Sequence, residues 1–251
     1  MITRGLFIVG TDTGVGKTFV TALAARAALR RGLSVGVYKP ACSGATRDAA
    51  GAIVWEDVRS LEAAVECRFE SQRICPQRFA APLAPPVAAR LEGRTVDGTL
   101  LREGAHWWEG RVELLLVEGV GGLLCPLTEQ ETVADLVRDL GYPLVIVSRL
   151  GLGTINHTLL TVEAAQRRNL PIAGILLNES TSANGDAAAD TIAAETNEDE
   201  IARRCTAPIL GVLRHGGLRG FERQRRRVEI DWLAVAQPAC RGDSSSCPLV
   251  R

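Results

Sequence analysis

The chain has 251 residues, 46% of them hydrophobic, which suits one sizeable core in a single α/β domain. Lysine plus arginine and aspartate plus glutamate both total 29, so no overall field draws the protein to nucleic acid or to an anionic membrane. The longest apolar runs are strand-sized, short of the ~20 residues that cross a bilayer, which excludes a helical membrane anchor.

In chain order, the first apolar run covers residues 6–9 and reads as a strand. Gly10-Thr11-Asp12-Thr13-Gly14-Val15-Gly16-Lys17-Thr18 follows it and opens onto a helix over 17–31. A glycine-rich turn between strand and helix is where backbone N–H groups and the helix dipole hold phosphates. Lys17 is then placed for the β- and γ-phosphates and the Thr18 hydroxyl for Mg²⁺. Gly10 lies six residues before Gly16, one more than the general phosphate-loop spacing allows. The strand, Gly16-Lys17-Thr18 and the helix together nevertheless predict binding of a nucleoside triphosphate.

The next strand, 34–38, ends at Lys39, with Ser43 four residues on. A lysine at a strand end can face transferring phosphoryl oxygens or hold a substrate carboxylate. Helices are expected over 57–67, 86–92 and 99–109, with Asp57 opening the first as a candidate oxygen ligand. The strand 113–117 ends at Glu118, followed by Gly119, Val120, Gly121 and Gly122. A carboxylate opposite the phosphate loop is placed for magnesium, and the glycines let backbone approach phosphate. A helix over 132–140, a strand over 144–147, a helix over 155–169 and a strand over 172–177 follow. Asn178, at the end of the last, is placed to contact a base or to serve as a turn residue.

A solvated helix is expected over 186–204 and a strand over 209–213. The basic stretch Arg214, Arg219, Arg223, Arg225, Arg226 and Arg227 reads as a solvated helix face, or as a contact for phosphate or an acidic partner. Strands apolar throughout, alternating with helices, predict a doubly wound, mainly parallel sheet flanked by helices, the P-loop NTPase fold. Ligands then bind at the carboxyl ends of the strands. Residues 1–236 are expected to form the single domain and 237–251 a mobile tail. With no room for a leader before the first strand, and seven cysteines lacking C-x-x-C or zinc spacing, a cytoplasmic protein with free thiols is expected.

Four segments together resemble the dethiobiotin synthetase family of biotin biosynthesis: residues 10–18; Tyr38-Lys39-Pro40 with Ser43-Gly44; Val117-Glu118-Gly119-Val120-Gly121-Gly122; and Leu150-Gly151-Leu152-Gly153-Thr154-Ile155-Asn156-His157. The unusual Gly10–Gly16 spacing matches that family. The resemblance runs from about residue 4 to Gly211. It implies a homodimeric, magnesium- and ATP-dependent cyclo-ligase that joins CO2 to 7,8-diaminononanoate, closes the ureido ring and releases ADP and phosphate. Lys39 and Lys17 then flank the transferred phosphoryl group. Thr18, Asp57 and Glu118 hold Mg²⁺, and Gly14, Val15, Gly16, Gly119, Val120 and Gly121 belong to the nucleotide site. Asn178, Arg214, His215 and Gly216 belong to its base end. Thr13 and Ser43 line the diamine and carbamate. Gly153, Thr154 and Asn156 reach across the dimer to the substrate carboxylate, while His157 is structural.

The sequence departs from the family at three places, one being the Arg- and Ser-rich stretch after Gly220, which matches nothing in it. Gly14 stands where a relative carries an acid that orients the substrate amine, and the stretch after Gly211 lacks the proline-containing adenine loop. Two rival classes fit less well. Amide-forming relatives carry a glutaminase domain and a nucleophilic cysteine, for which this chain is too short. Partition and division-site ATPases carry a second lysine early in the loop, which residues 10–15 lack.

Overall fold

Strand β1 (Arg4–Gly10) leads through the glycine loop into α1 (Lys17–Arg30), and β2 (Val35–Tyr38) follows. The segment before the next long strand is built of short pieces: β3 (Ala41–Ser43), β4 (Thr46–Arg47), β5 (Ile53–Val54), α2 (Glu56–Ala64), α3 (Ser71–Ile74), β6 (Gln77–Phe79), α4 (Pro85–Leu91) and α5 (Gly98–His106). Regular alternation then resumes with β7 (Leu114–Gly122), α6 (Val133–Leu140), β8 (Leu144–Arg149), α7 (Thr154–Gln166), β9 (Ile172–Asn178), α8 (Ala187–Arg204) and β10 (Ile209–Leu213). The chain closes with β11 (Phe221–Arg223), β12 (Arg226–Val228), α9 (Trp232–Val235) and β13 (Gln237–Pro238). This computed structural model describes residues 1–179, 187–214, 220–224 and 226–238.

The main sheet has the order β12-β11-β10-β9-β8-β1-β7-β2, with β13 added antiparallel to the start of β1. From β10 to β2 every neighbouring pair is parallel. The reason is burial on both faces. Leu6, Phe7 and Val9 of β1, Leu114–Val117 of β7 and Leu144–Val147 of β8 are all fully buried. Helices therefore cover both sides, and every crossover between parallel strands returns the chain to the same end of the strands. The strand ends that receive ligands thus collect along one rim.

Three expectations are corrected. Glu118 does not end its strand. β7 continues through Gly122, and its register with β1 shifts between Ile8 and Gly10, so the carboxylate sits within the ladder opposite Ile8. The basic stretch is not a helix where it is described: Arg223, Arg226 and Arg227 lie in a hairpin that extends the sheet antiparallel from β10. Two- and three-residue strands rich in arginine have no apolar run to announce them. Gln237 and Pro238, placed in a tail by the sequence, pair with Gly5 and Arg4 instead. Residues 239–251, Arg219, Arg225, Cys240 and Cys247 lie outside the described residues. Cys42, Cys67, Cys75, Cys125 and Cys205 are free thiols.

Candidate active site

The loop after β1 is held from below before any phosphate reaches it. Gly16 precedes α1 at φ 92°, a conformation that favours glycine. A Cβ there would fall 2.1 Å from Asn178 Nδ2. That same Nδ2 donates to the Val15 carbonyl at 2.9 Å, so the end of β9 props the loop. Lys17 Nζ lies back on the Asp12 carbonyl at 3.0 Å. Burial holds the Lys17 pKa below the ordinary lysine range, against an opposing pull from Glu118. At the loop tip Gly14 has φ 74°, with nothing within 4 Å of a side chain placed there.

Lys39 follows β2, anchored by its N–H to the Ile74 carbonyl at 2.7 Å, and is itself buried. Its Nζ donates to Glu118 Oε1 and to Asp57 Oδ2, each at 2.6 Å. Burial alone would lower the Lys39 pKa, but Glu118 and Asp57 together raise it above the ordinary value, so the ammonium is retained. Asp57, in the first turn of α2, moves the other way. Burial raises it, and Lys39 outweighs that to keep the carboxylate below its usual range. Thr18 Oγ1 donates to the same Glu118 Oε1 at 2.7 Å. Glu118 Oε2 is buried with no hydrogen-bond partner.

That orphaned oxygen bears on the metal. An oxygen-only set of two carboxylates and a hydroxyl beside a phosphate loop is what Mg²⁺ takes, completing its shell with phosphate oxygens and water. Glu118 Oε2 has free lone pairs and Asp57 is half-exposed, so the residues present fit the ion. Among the described residues no group of three or more His, Cys, Asp or Glu gathers to hold a metal, and this site offers two carboxylates and a hydroxyl.

A cleft of about 560 Å³ opens over this cluster, lined by Thr13, Gly14, Gly16, Lys17, Thr18, Lys39, Ser43, Asp57, Val120 and Gly121. They come from the loop after β1, the first turns of α1 and α2, the segment after β2 and the last residues of β7. The cleft is also lined by residues that sequence reasoning missed, Pro82, Leu83, Ala84 and Cys125. Leu83 among them is 43% exposed, and no motif in the sequence marked it.

Other expected site residues lie apart from this cleft. The Thr154 side chain is fully buried, its hydroxyl 2.7 Å from Ser148 Oγ, while Gly153 and Asn156 are exposed beside it. Asn178 is buried under the loop. Arg214 lies 3.9 Å from Glu179. His215 and Gly216 lie outside the described residues.

The buried strand, glycine loop, helix-borne Lys17 and Thr18, and the carboxylate on the neighbouring strand define a P-loop nucleoside-triphosphatase. A family model described as an AAA domain matches residues 4–216. The ATP-dependent dethiobiotin synthetase BioD of Anaeromyxobacter sp. (strain K) is 50% identical over 177 residues, covering 70% of this chain and 77% of that one. The protein of the same name from Bacillus subtilis (strain 168) is 42% identical over 214 residues, covering 83% and 86%. Among solved structures, the signal recognition particle receptor FtsY from Elizabethkingia anophelis matches with TM-score 0.45 and 15% identity, covering 92% of this chain and 64% of that one. The chain belongs to the ATP-dependent dethiobiotin synthetase family.

Proposed function

We propose that the chain closes the ureido ring of dethiobiotin, joining CO2 to 7,8-diaminononanoate with conversion of ATP to ADP and phosphate. The observation that carries this reading is the Lys39 ammonium, buried on the cleft floor at 2.6 Å from both Glu118 and Asp57, beside Lys17, Thr18 and Ser43. One substrate amine takes up CO2 as a carbamate and releases a proton. A carbamate oxygen attacks the γ-phosphorus, the bond to ADP breaks, and a mixed carbamic–phosphoric anhydride forms. The second amine attacks the carbonyl carbon. Phosphate leaves, and loss of a proton from the attacking nitrogen gives the five-membered cyclic urea.

The protein's part is placement and charge. Gly14, Val15, Gly16, Gly119, Val120 and Gly121 offer backbone to the phosphates. Lys17 lies against the β- and γ-phosphates, and Lys39 meets the transferring phosphoryl oxygens. Thr13 and Ser43 orient the carbamate. Thr18, Asp57 and Glu118 would hold Mg²⁺, which when bound neutralises phosphate charge. Asn178, Arg214, His215 and Gly216 form the base end of the nucleotide site. Gly153, Thr154 and Asn156 receive the distal carboxylate of a substrate held in a second copy of the chain, so the working unit is a homodimer. Supporting this is their position outside the cleft, with Leu152 68% exposed next to them. The protein works in the cytoplasm, and none of its described helices is long and apolar enough to cross a membrane.

Phosphate release with MgATP and bicarbonate, with and without the diamine, tests the reading. Release is expected to depend on the diamine and to coincide with a product of dethiobiotin mass. Equal ATP hydrolysis in both arms with no such product overturns it.

A further inference from the structure

The side chain of Ser148 has no place in the chemistry above, yet it is fully buried at the carboxyl end of β8. Burying a hydroxyl costs free energy unless it is hydrogen-bonded. Ser148 Oγ has three hydroxyl neighbours: Thr154 Oγ1 at 2.7 Å, Thr158 Oγ1 at 2.8 Å and Thr11 Oγ1 at 3.3 Å. A hydroxyl donates once and accepts twice, so three neighbours use its whole capacity. Thr11 opens the phosphate loop, and its N–H is bonded to the Val147 carbonyl at 2.9 Å. Thr154 and Thr158 lie in the first turns of α7, directly after the 150–153 turn. One serine therefore fastens the entrance of the phosphate loop to the start of the helix that carries Asn156.

A second tie runs alongside. Asn178 holds Val15 through Nδ2, and its backbone carbonyl accepts from the Leu150 N–H at 2.7 Å. Both ends of the loop are thus joined to the 150–154 turn, the first tie passing entirely through hydroxyl groups.

We propose that Ser148 is a positioning residue that couples the occupied phosphate loop to the carboxylate-receiving start of α7. When the loop closes on phosphates, Thr11 and Ser148 fix the first turn of α7, and the second ligand meets a segment already in place. Removing the hydroxyl frees Thr158 to turn back onto its own helix carbonyls, and the helix start then settles independently of the loop. This inference rests on the reading that residues 153–156 meet the substrate carboxylate. In that reading the carboxylate belongs to a substrate whose amines lie in the other subunit, so the linkage runs between the two sites of a dimer.

The test is calorimetry on the full chain with MgADP and 7,8-diaminononanoate. MgADP lacks the γ-phosphate that would meet the carbamate, and any direct effect of its remaining charge on the amines is common to wild type and variant, so the difference between them reads the route through protein. In the wild type each ligand is expected to tighten the other about ten-fold, by the same factor in both directions. In Ser148→Ala each ligand alone should bind within about three-fold of wild type, while the mutual factor drops below about three. A merely structural serine would shift the single-ligand affinities or the Tm and leave the factor intact. An unchanged factor in folded Ser148→Ala overturns the proposal, as does a wild type that binds the diamine with no mutual effect. A wild type that fails to bind the diamine at all overturns the functional reading itself, and the proposal with it. If Ser148→Ala does not fold, Thr11→Val carries the same test. It keeps the α7 hydroxyls on Ser148 and cuts only their link to the loop, with the same loss expected.

Discussion

In the proposed reaction Lys39 is the residue on which most of the chemistry turns, and its neighbours make a specific forecast possible. Lys39→Ala should lower kcat by about 10²–10³, the usual cost of a lost preorganised charge, with a smaller effect on ATP affinity. Lys17→Ala should weaken nucleotide binding as well, because Lys17 belongs to the loop itself. Steady-state rates with calorimetry separate the two, and a Lys39→Ala enzyme of near-normal kcat would remove Lys39 from the mechanism. Lys39→Ala also leaves Glu118 as a buried charge without its partner, expected to cost about 3–5 kcal/mol in denaturant unfolding. At Gly16 steric reasoning suffices. Gly16→Ala places a methyl against Asn178 Nδ2 at a left-handed φ, and should weaken binding of a fluorescent ATP analogue by more than about ten-fold. Lys39 and Glu118 could be picked out in the sequence because each follows an apolar run, and Lys17 and Thr18 because they close a glycine-rich turn between a strand and a helix. The support that Asn178 gives Val15 could not, since only the fold brings those two residues together.

Among the elements, the parallel strands were legible because burial on both faces leaves uninterrupted apolar runs, as in Leu114–Val117. The pieces β3, β6, β11 and β12 were not, being three residues long and held by neighbours rather than by their own pattern. The start of α6 shows a local device the sequence does announce. The Thr132 N–H and hydroxyl both donate to Asp135 Oδ2 at 2.8 Å, and the N–H bond, ahead of Arg138, keeps the Asp135 pKa below the ordinary value. A lowered carboxylate pKa stabilises the folded state fully above the unfolded value of about 3.9, and that share is lost as pH falls through the lowered one. Asp135→Ala should therefore cost about 1 kcal/mol at neutral pH, the scale of one helix cap. The two unfolding curves should converge in acid. Urea titrations across pH check this, and a constant gap would show that the ionised carboxylate is not the source.

For the whole molecule, the shared-site reading predicts complementation. Lys39→Ala and Asn156→Ala subunits, each inactive alone, should regain activity on mixing, because a hybrid dimer carries one site with wild-type Lys39 from one chain and wild-type Asn156 from the other. Verified subunit exchange with no activity above either parent would count against the shared site. Strand order bears on a different question, how the chain reaches its folded state during synthesis. β1, which carries the phosphate loop, lies between β7 and β8, with Arg4 opposite Leu114 and Phe7 opposite Leu144. β1 thus waits for more than a hundred residues of later chain before either of its parallel neighbours exists, and until then Leu6, Phe7, Ile8 and Val9 have no sheet to join. A nascent fragment ending at residue 111 should aggregate or be held by chaperones, whereas one ending at residue 178, which includes β7, β8 and β9, should gain protease resistance around β1. Limited proteolysis of stalled chains of the two lengths would show whether the nucleotide loop is shaped only once that later half has emerged.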